Sequence, residues 1–115
     1  MTQEEKQLLL KDLCARLPYN VRINCTEEDD ERTNFDCFLA SDMIKDIKSE
    51  TAYWIIKPYL RPMSSMTEEE KEEARNLIYA TVEFTDWCNE HHLDYRHLIE
   101  KGLALEAPEG MYKNE

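Results

Sequence analysis

The sequence predicts an α+β fold: a small antiparallel sheet of about three strands, packed on one face by an N-terminal helix and C-terminal helices. Three observations predict it. Apolar residues recur at helical spacing near both ends of the chain. Between those ends, short stretches alternate apolar with polar residues or gather aromatic and β-branched ones, as strands do. The 115 residues, 42% of them hydrophobic, suffice for a single domain spanning residues 1–115 with one modest core. Helices segregated to one side are the usual complement of a small antiparallel sheet.

The elements follow in order. Thr2 and Glu5 have the spacing of a capping box and open a helix from about Gln3 to Arg16 or Leu17. Leu10, Leu13, Cys14 and Leu17 form its apolar stripe, and Pro18 ends it. Val21, Ile23 and Cys25 alternate with Arg22 and Asn24, giving a half-buried strand. An acidic loop over residues 26–34 leads to a second strand carrying Phe35, Cys37 and Leu39. Met43, Ile44 and Ile47 suit a short helical turn behind Ser41. Tyr53, Trp54, Ile55 and Ile56 read as a third strand bounded by Pro58 and Pro62.

Thr67 and Glu70 repeat the capping-box spacing. The stripe Leu77, Ala80, Phe84, Trp87 and His91 then predicts helix over 67–92. One unbroken helix of about 24 residues would rise roughly 36 Å, long for so small a domain, and a break near Thr85 would relieve that. Residues 93–103 carry start and stop signals for a short helix. Asp94 can cap it and Gly102 can close it, with Leu98 and Leu103 at the hydrophobic positions of a Schellman ending. Residues 103–107 suit an extended segment, and 108–115 a frayed tail. The expected core is Leu10, Leu13, Leu17, Val21, Ile23, Ile55, Leu77, Phe84, Trp87, Leu98, Ile99 and Leu103.

Charge narrows the function. Charged residues make up 34% of the chain and the formal net charge is −11. Such a chain repels phosphate backbones and anionic bilayers, so direct nucleic-acid binding and membrane association are not expected. Glu27, Glu28, Asp29, Asp30 and Glu31 form one acidic block, and Glu68, Glu69, Glu70, Glu72 and Glu73 another; together they hold 10 of the 25 carboxylates. No apolar run approaches the length of a membrane span, and the start of the chain lacks the pattern of a signal peptide. A cytoplasmic protein is expected, with Cys14, Cys25, Cys37 and Cys88 as free thiols.

Cys88, His91, His92 and His97 are the one cluster of metal-type ligands. On a helix, Cys88 would lie beside His91 at i+3 and His92 at i+4. Two such ligands could share a zinc ion, which takes four, and no second closely spaced pair supplies the rest. The same residues could pair a thiol with a base, but no third group orients them. The better reading keeps Cys88 in the core stripe and the histidines at a helix end, where a cation is favoured. No catalytic, cofactor-binding or metal residue is assigned. Trp54, Trp87, Tyr53 and Tyr59 could form an aromatic patch, but at strand and helix spacing they read as core. With Gly102 and Gly110 the only glycines, a phosphate-cradling loop is excluded.

Three stretches carry a resemblance: Glu4-Glu5-Lys6-Gln7-Leu8 continuing to Tyr19, Lys57-Pro58-Tyr59-Leu60-Arg61-Pro62-Met63 continuing to Glu70, and His91-His92-Leu93-Asp94-Tyr95-Arg96 continuing through Leu98 to Tyr112. Together, about half of the chain resembles an uncharacterised family of small acidic proteins of gut Bacteroidales and their phages or integrated elements. Between Glu27 and Glu50 the chain departs from that family, whose members are often longer there. The resemblance implies an intracellular accessory protein of a bacterial or phage mobile element, and carries over no activity, cofactor or site residue. The function expected is a non-enzymatic protein–protein interaction module with an unknown protein partner. The alternatives are a metal-binding protein using Cys88 with His91 or His92, and an acidic nucleic-acid mimic that inhibits a basic partner.

Overall fold

The computed structural model describes residues 2–48, 54–77 and 81–112. The first helix, α1 (Gln3–Arg16), begins as its sequence dictates: Thr2 Oγ1 accepts from the Glu5 amide at 3.0 Å and Glu5 Oε1 accepts from the Thr2 amide at 2.8 Å. Pro18 turns the chain into a short 3₁₀ segment, Leu17–Tyr19. The buried stripe of α1 is Leu9, Asp12, Leu13 and Arg16. It is rotated from the expected one; Leu10 and Leu17 are half-buried and Cys14 is exposed. The cause is an ion pair on the inner side. Arg16 Nε donates to Asp12 Oδ2 at 2.8 Å with both side chains fully buried.

Strands β1 (Arg22–Glu27), β2 (Asp30–Phe38) and β3 (Trp54–Leu60) form an antiparallel trio. A short β4 (Leu105–Glu106) then adds in parallel to β3 at Tyr59 and Leu60. The order is β2-β1-β3-β4, so the sheet is a mixed one of four strands that curls into a half-barrel, where three antiparallel strands were expected. The added strand is the predicted extended segment over 103–107. The acidic loop over 26–34 is corrected: Thr26, Glu27 and residues 30–34 lie in strands, and Glu28 and Asp29 alone form the turn. Pairing with β1 imposes extended backbone on residues of low strand propensity. The slack is taken up by a shift of register between Thr26 and Glu27 that leaves residues 31–33 outside the regular ladder.

Pro58 lies inside β3, fully buried and opposite Ile23, where it was expected to bound the strand. An antiparallel ladder accepts proline only where its nitrogen faces away from the partner strand, and β4 reaches only Tyr59 and Leu60 on that side. The inward positions of β3 are Ile56, Pro58 and Leu60. Ile55, expected in the core, faces outward because a strand's side chains alternate.

Helix α2 (Ser41–Lys48) buries Ile44 and Ile47, as its spacing predicts. With Leu9 and Leu13 of α1 they pack on Ile23, Cys25, Ile56 and Leu60, so α1 and α2 cover one face of the sheet. Region 67–92 forms two helices, α3 (Glu68–Arg75) and α4 (Val82–Glu90). Thr81 caps the second, its Oγ1 accepting from the Phe84 amide at 3.2 Å. Thr85, near which the break is expected, instead lies within α4 and bonds back to the carbonyls of Thr81 and Val82. Ala80 and Tyr53 lie outside the described residues. α4 does not cover the sheet; its Phe84 and Cys88 join Leu93 in a second cluster with Met63, Met66 and Leu77. Among the described residues no helix is long and apolar enough to cross a membrane.

Residues 93–103 form linked turns in place of the expected short helix, because His97 takes a left-handed conformation (φ 60°). Both end signals still operate. Asp94 accepts from the amides of Leu98 and Ile99 at 2.8 and 3.0 Å. Gly102 (φ 75°) supports the Schellman pair, Leu103 amide to Leu98 carbonyl at 2.9 Å and Gly102 amide to Ile99 carbonyl at 3.1 Å. Leu98 and Leu103 are buried. The frayed tail expected over 108–115 is also corrected for 108–112, which Tyr112 anchors to the sheet; residues 113–115 lie outside the described residues.

Candidate functional site

Two places on the molecule combine accessible volume or surface with chemically distinctive side chains. The first is a cleft of about 740 Å³ beyond the end of β3, lined by Arg61, Glu70, Glu90, His91, His92, Glu106, Glu109 and Tyr112 among others. Its wall is organised by a fork between Arg61 and Glu70. Arg61 Nη1 donates to Glu70 Oε2 at 2.8 Å and Nη2 to Oε1 at 2.6 Å, a bidentate pair that fixes both planes. Glu70 also accepts from the Thr67 amide at 2.9 Å, so one carboxylate caps α3 and clamps Arg61. These hydrogen bonds, Arg61's foremost, hold its carboxyl down at about 2.

Of the predicted ligand cluster, His91 and His92 line this cleft, whereas Cys88 and His97 do not. Cys88 is fully buried, and burial pushes its thiol up to about 11, away from the thiolate that a nucleophile or metal ligand must be. His91 caps the end of α4. Its Nδ1 lies 3.2 Å from Glu70 Oε2 and its ring sits 4.5 Å from that of Trp87. His92 has left the helix altogether (φ 60°) and stacks on Tyr112, centroids 3.8 Å apart and planes 15° from parallel. Burial, reinforced by Arg16 and Arg61, lowers its imidazole to about 4. The helical i+4 relation between Cys88 and His92 therefore does not arise, since α4 ends at Glu90. Among the described residues no three His, Cys, Asp or Glu side chains are grouped to hold a metal ion.

Tyr112 has a role that no local pattern announces. Its hydroxyl accepts from the Arg22 amide at 2.8 Å and donates to the Tyr59 carbonyl at 2.7 Å. The ladder between β1 and β3 stops at Ile23 and Pro58, and this hydroxyl bridges the strands one residue further on. Burial pushes the phenol up to about 12, so it remains a donor as well as an acceptor.

The second place is the far end of the sheet, where β1 and β2 carry the hairpin beyond α1 and α2. Phe35 (47% exposed) and Trp54 (37%) lie on the inner face but past the helices, in edge-to-face contact at 5.4 Å. On the outer face Ile55 (38%) stands near this end, whereas Phe38 (57%) stands at the opposite end of β2, paired with Arg22. On that face a polar network ties three strands together. Asp36 Oδ1 accepts from Asn24 Nδ2 at 3.0 Å and Tyr59 Oη at 2.8 Å, and Thr26 Oγ1 donates to Asn24 Oδ1 at 2.6 Å. The donors, Asn24 first and Tyr59 second, lower the Asp36 carboxyl below its usual range, so the carboxylate is held ionised. The turn places Glu28 and Asp29 at the tip, flanked by Glu27, Asp30 and Glu31.

The aromatic patch weighed from sequence is thus redistributed. Trp87 is half-buried, donating from Nε1 to Glu73 at 3.0 Å, and Tyr59 belongs to the outer network. Trp54 is joined by Phe35, which strand alternation alone did not single out as exposed. The available clue was its position near the acidic block of residues 27–31. No protein-family model, curated protein or solved structure matches the chain.

Proposed function

We propose that this chain is a non-enzymatic protein-interaction module that docks a basic partner through the hairpin end of its sheet. One observation carries the reading: Phe35, Trp54 and Ile55 are exposed together with the carboxylates of residues 27–31 at one end of the molecule. Exposed aromatics are the usual anchors of protein interfaces, and a rim of one sign selects partners of the other. The buried, protonated thiol of Cys88 and the separated histidines supply no nucleophile–base pair in support of catalysis. The resemblance of residues 4–19, 57–70 and 91–112 to small acidic proteins of Bacteroidales and their phages supports an accessory role in a mobile element.

A nucleic-acid mimic would need both acidic blocks on one face. Glu27 pairs with Trp54 at the start of β3, whereas Glu70 clamps Arg61 just past its end. The seven residues of β3 separate them by about 23 Å along the strand, which counts against mimicry. The module reading is tested by affinity capture of the full chain at native expression, beside a Phe35→Ser/Ile55→Ser variant of unchanged circular dichroism. A reproducible basic partner retained by the parent chain and lost by the variant is expected. Capture of nothing, or of the same partner by both, overturns it.

A further inference from the structure

The free edge of β2 says how such a partner would bind, and the inference rests on the interaction reading above. The Leu39 amide donates to the Val21 carbonyl at 3.0 Å, which makes Val21 and Leu39 a hydrogen-bonded pair of the antiparallel ladder. Bonded pairs alternate with non-bonded ones. Ile23–Cys37 and Cys25–Phe35 are therefore bonded, and Arg22–Phe38, Asn24–Asp36 and Thr26–Asn34 are not. It follows that the amides and carbonyls of Asn34, Asp36 and Phe38 point away from β1. β2 is the outermost strand, and among the described residues no other strand meets that side.

Proteins normally blunt such an edge with proline, lysine, a bulge or a covering segment. Here the irregular register is confined to residues 31–33. Residues 34–38 (Asn-Phe-Asp-Cys-Phe) run in unbroken register with β1 and contain neither proline nor lysine. The side chains along this edge divide by face. On the outer face Asp36 stands between Asn34 and Phe38, its Oδ1 fixed by Asn24 and Tyr59. On the inner face are Phe35, against Trp54, and the half-buried Cys37.

We infer that residues 34–38 of β2 accept an extended segment of a protein partner as a fifth strand, with basic side chains on its outer face and apolar ones on its inner face. Main-chain bonds to Asn34, Asp36 and Phe38 provide the affinity, and the alternation of basic and apolar residues provides the selectivity. An incoming cation on the outer face stands beside Asp36, and an incoming apolar residue on the inner face extends the Phe35–Trp54 contact. A second copy of this chain is the poorer occupant. The antiparallel self-pairing that uses all three free positions sets Asp36 against Asp36, and like charges directly opposite are destabilising. Each copy also brings a net charge of −11.

The test uses the full chain, isotope-labelled, and a blocked peptide of four Lys-Val repeats. The readout is hydrogen exchange at individual amides. Saturating peptide is expected to slow the amides of Asn34, Asp36 and Phe38 by at least about tenfold. The fully N-methylated peptide is expected to leave them unchanged. Asp36→Lys, with its circular dichroism unaltered, should lose the Lys-Val peptide and gain a Glu-Val one. Unprotected amides at about 1 mM peptide, equal protection by the N-methylated peptide, or protection that depends on protein concentration without peptide each overturn the inference. A partner recovered by affinity capture whose footprint spares these three amides overturns it too, while leaving the interaction reading intact. Failure to capture any partner overturns that reading instead.

Discussion

The two ends of β3 are built on opposite plans. At the Leu60 end, four separate stretches of chain converge within a few residues. Arg61 donates its amide to His92 at 2.8 Å, Asp94 donates to Arg61 at 2.8 Å, Ala107 donates to Leu60 at 2.8 Å, and Tyr112 donates to Tyr59 at 2.7 Å. From α1, Arg16 Nη2 reaches the Leu93 carbonyl at 2.7 Å. At the Trp54 end, among the described residues, β3 pairs with β1, and Trp54 meets the edge-on ring of Phe35. Local stability follows such contact density, so the clasped end holds the fold and the hairpin end is left free to present surface. The predictions below separate these two roles.

The largest effect belongs to the buried ions of the clasp. Asp12 accepts from Arg16 at 2.8 Å and from Arg96 at 3.1 Å, and Arg16 and Arg96 flank the ring of Tyr95 at 5.4 and 4.9 Å. Asp12→Ala leaves the fully buried Arg16 guanidinium without its counterion. It is expected to cost about 3–5 kcal/mol in equilibrium urea unfolding. The double variant Asp12→Leu/Arg16→Met removes both charges and should recover most of that loss. A single-variant cost below about 1 kcal/mol would show that the clasp does not carry the stability.

Acid should act on the same end, through groups whose pKa values the fold depresses. Unfolded His92 takes a proton near 6.5 and the folded one only near 4, so acid between those values favours the unfolded chain. Unfolded Glu70 takes a proton near 4.5 and the folded one near 2, so its contribution is complete above 4.5 and fades toward 2. Stability is therefore expected to fall below pH 6.5 and to stay flat above it until the buried thiols of Cys88 and Cys25, raised by the fold from 9.0, ionise in the unfolded chain. His92 should account for about 1–2 kcal/mol of the loss, allowing for solvent screening. His92→Asn keeps a residue tolerant of the left-handed backbone and should flatten the limb between pH 6.5 and 4 while leaving the Glu70 limb. A variant with the parent's slope across that window would refute the assignment.

Tyr112→Phe comes next, at about 1 kcal/mol, because it strands the Arg22 amide and the Tyr59 carbonyl between the strands. The signature beyond stability is local: faster hydrogen exchange at the Arg22 amide, with β1 and β2 amides nearer the turn unchanged.

What could be read from sequence was mostly short-range. Thr2 with Glu5, Thr67 with Glu70, and Gly102 after Leu98 each encode a helix end or turn within a few residues, and all three form as written. Three features were not legible, for three reasons. The Asp12–Arg16 pair escaped because a search for apolar period cannot see charges on the buried side of a helix. The strand through residues 30–34 owes its existence to pairing with β1, not to its own acidic residues, whose strand propensity is low. The Tyr112 bridge joins residues 90 and 53 positions apart in sequence, which no local pattern encodes. The candidate docking edge was hidden for a related reason. Alternation assigns Phe35 to the apolar side of a strand, but only the sheet order shows that this strand is outermost, and only the packing shows that Phe35 is left uncovered.

The smallest effect on folding is expected where the functional consequence is greatest. Phe35 is the most exposed of the hairpin aromatics, and its ring contact is the edge-to-face one with Trp54 at 5.4 Å. Such a pair at a half-exposed site contributes about 0.5 kcal/mol, so Phe35→Ser should shift the urea midpoint little and leave the unfolding slope unchanged. Leaving a large aromatic ring in water gains nothing for the isolated chain, and a partner that covers the ring recovers its apolar burial. For this reason the same substitution should weaken capture of the partner by at least about tenfold, a difference of about 1.4 kcal/mol. If instead Phe35→Ser destabilised the fold by about 2 kcal/mol or more, the hairpin end would be a structural region like the clasp. The contrast between the two ends of β3 would then fail at its most exposed point.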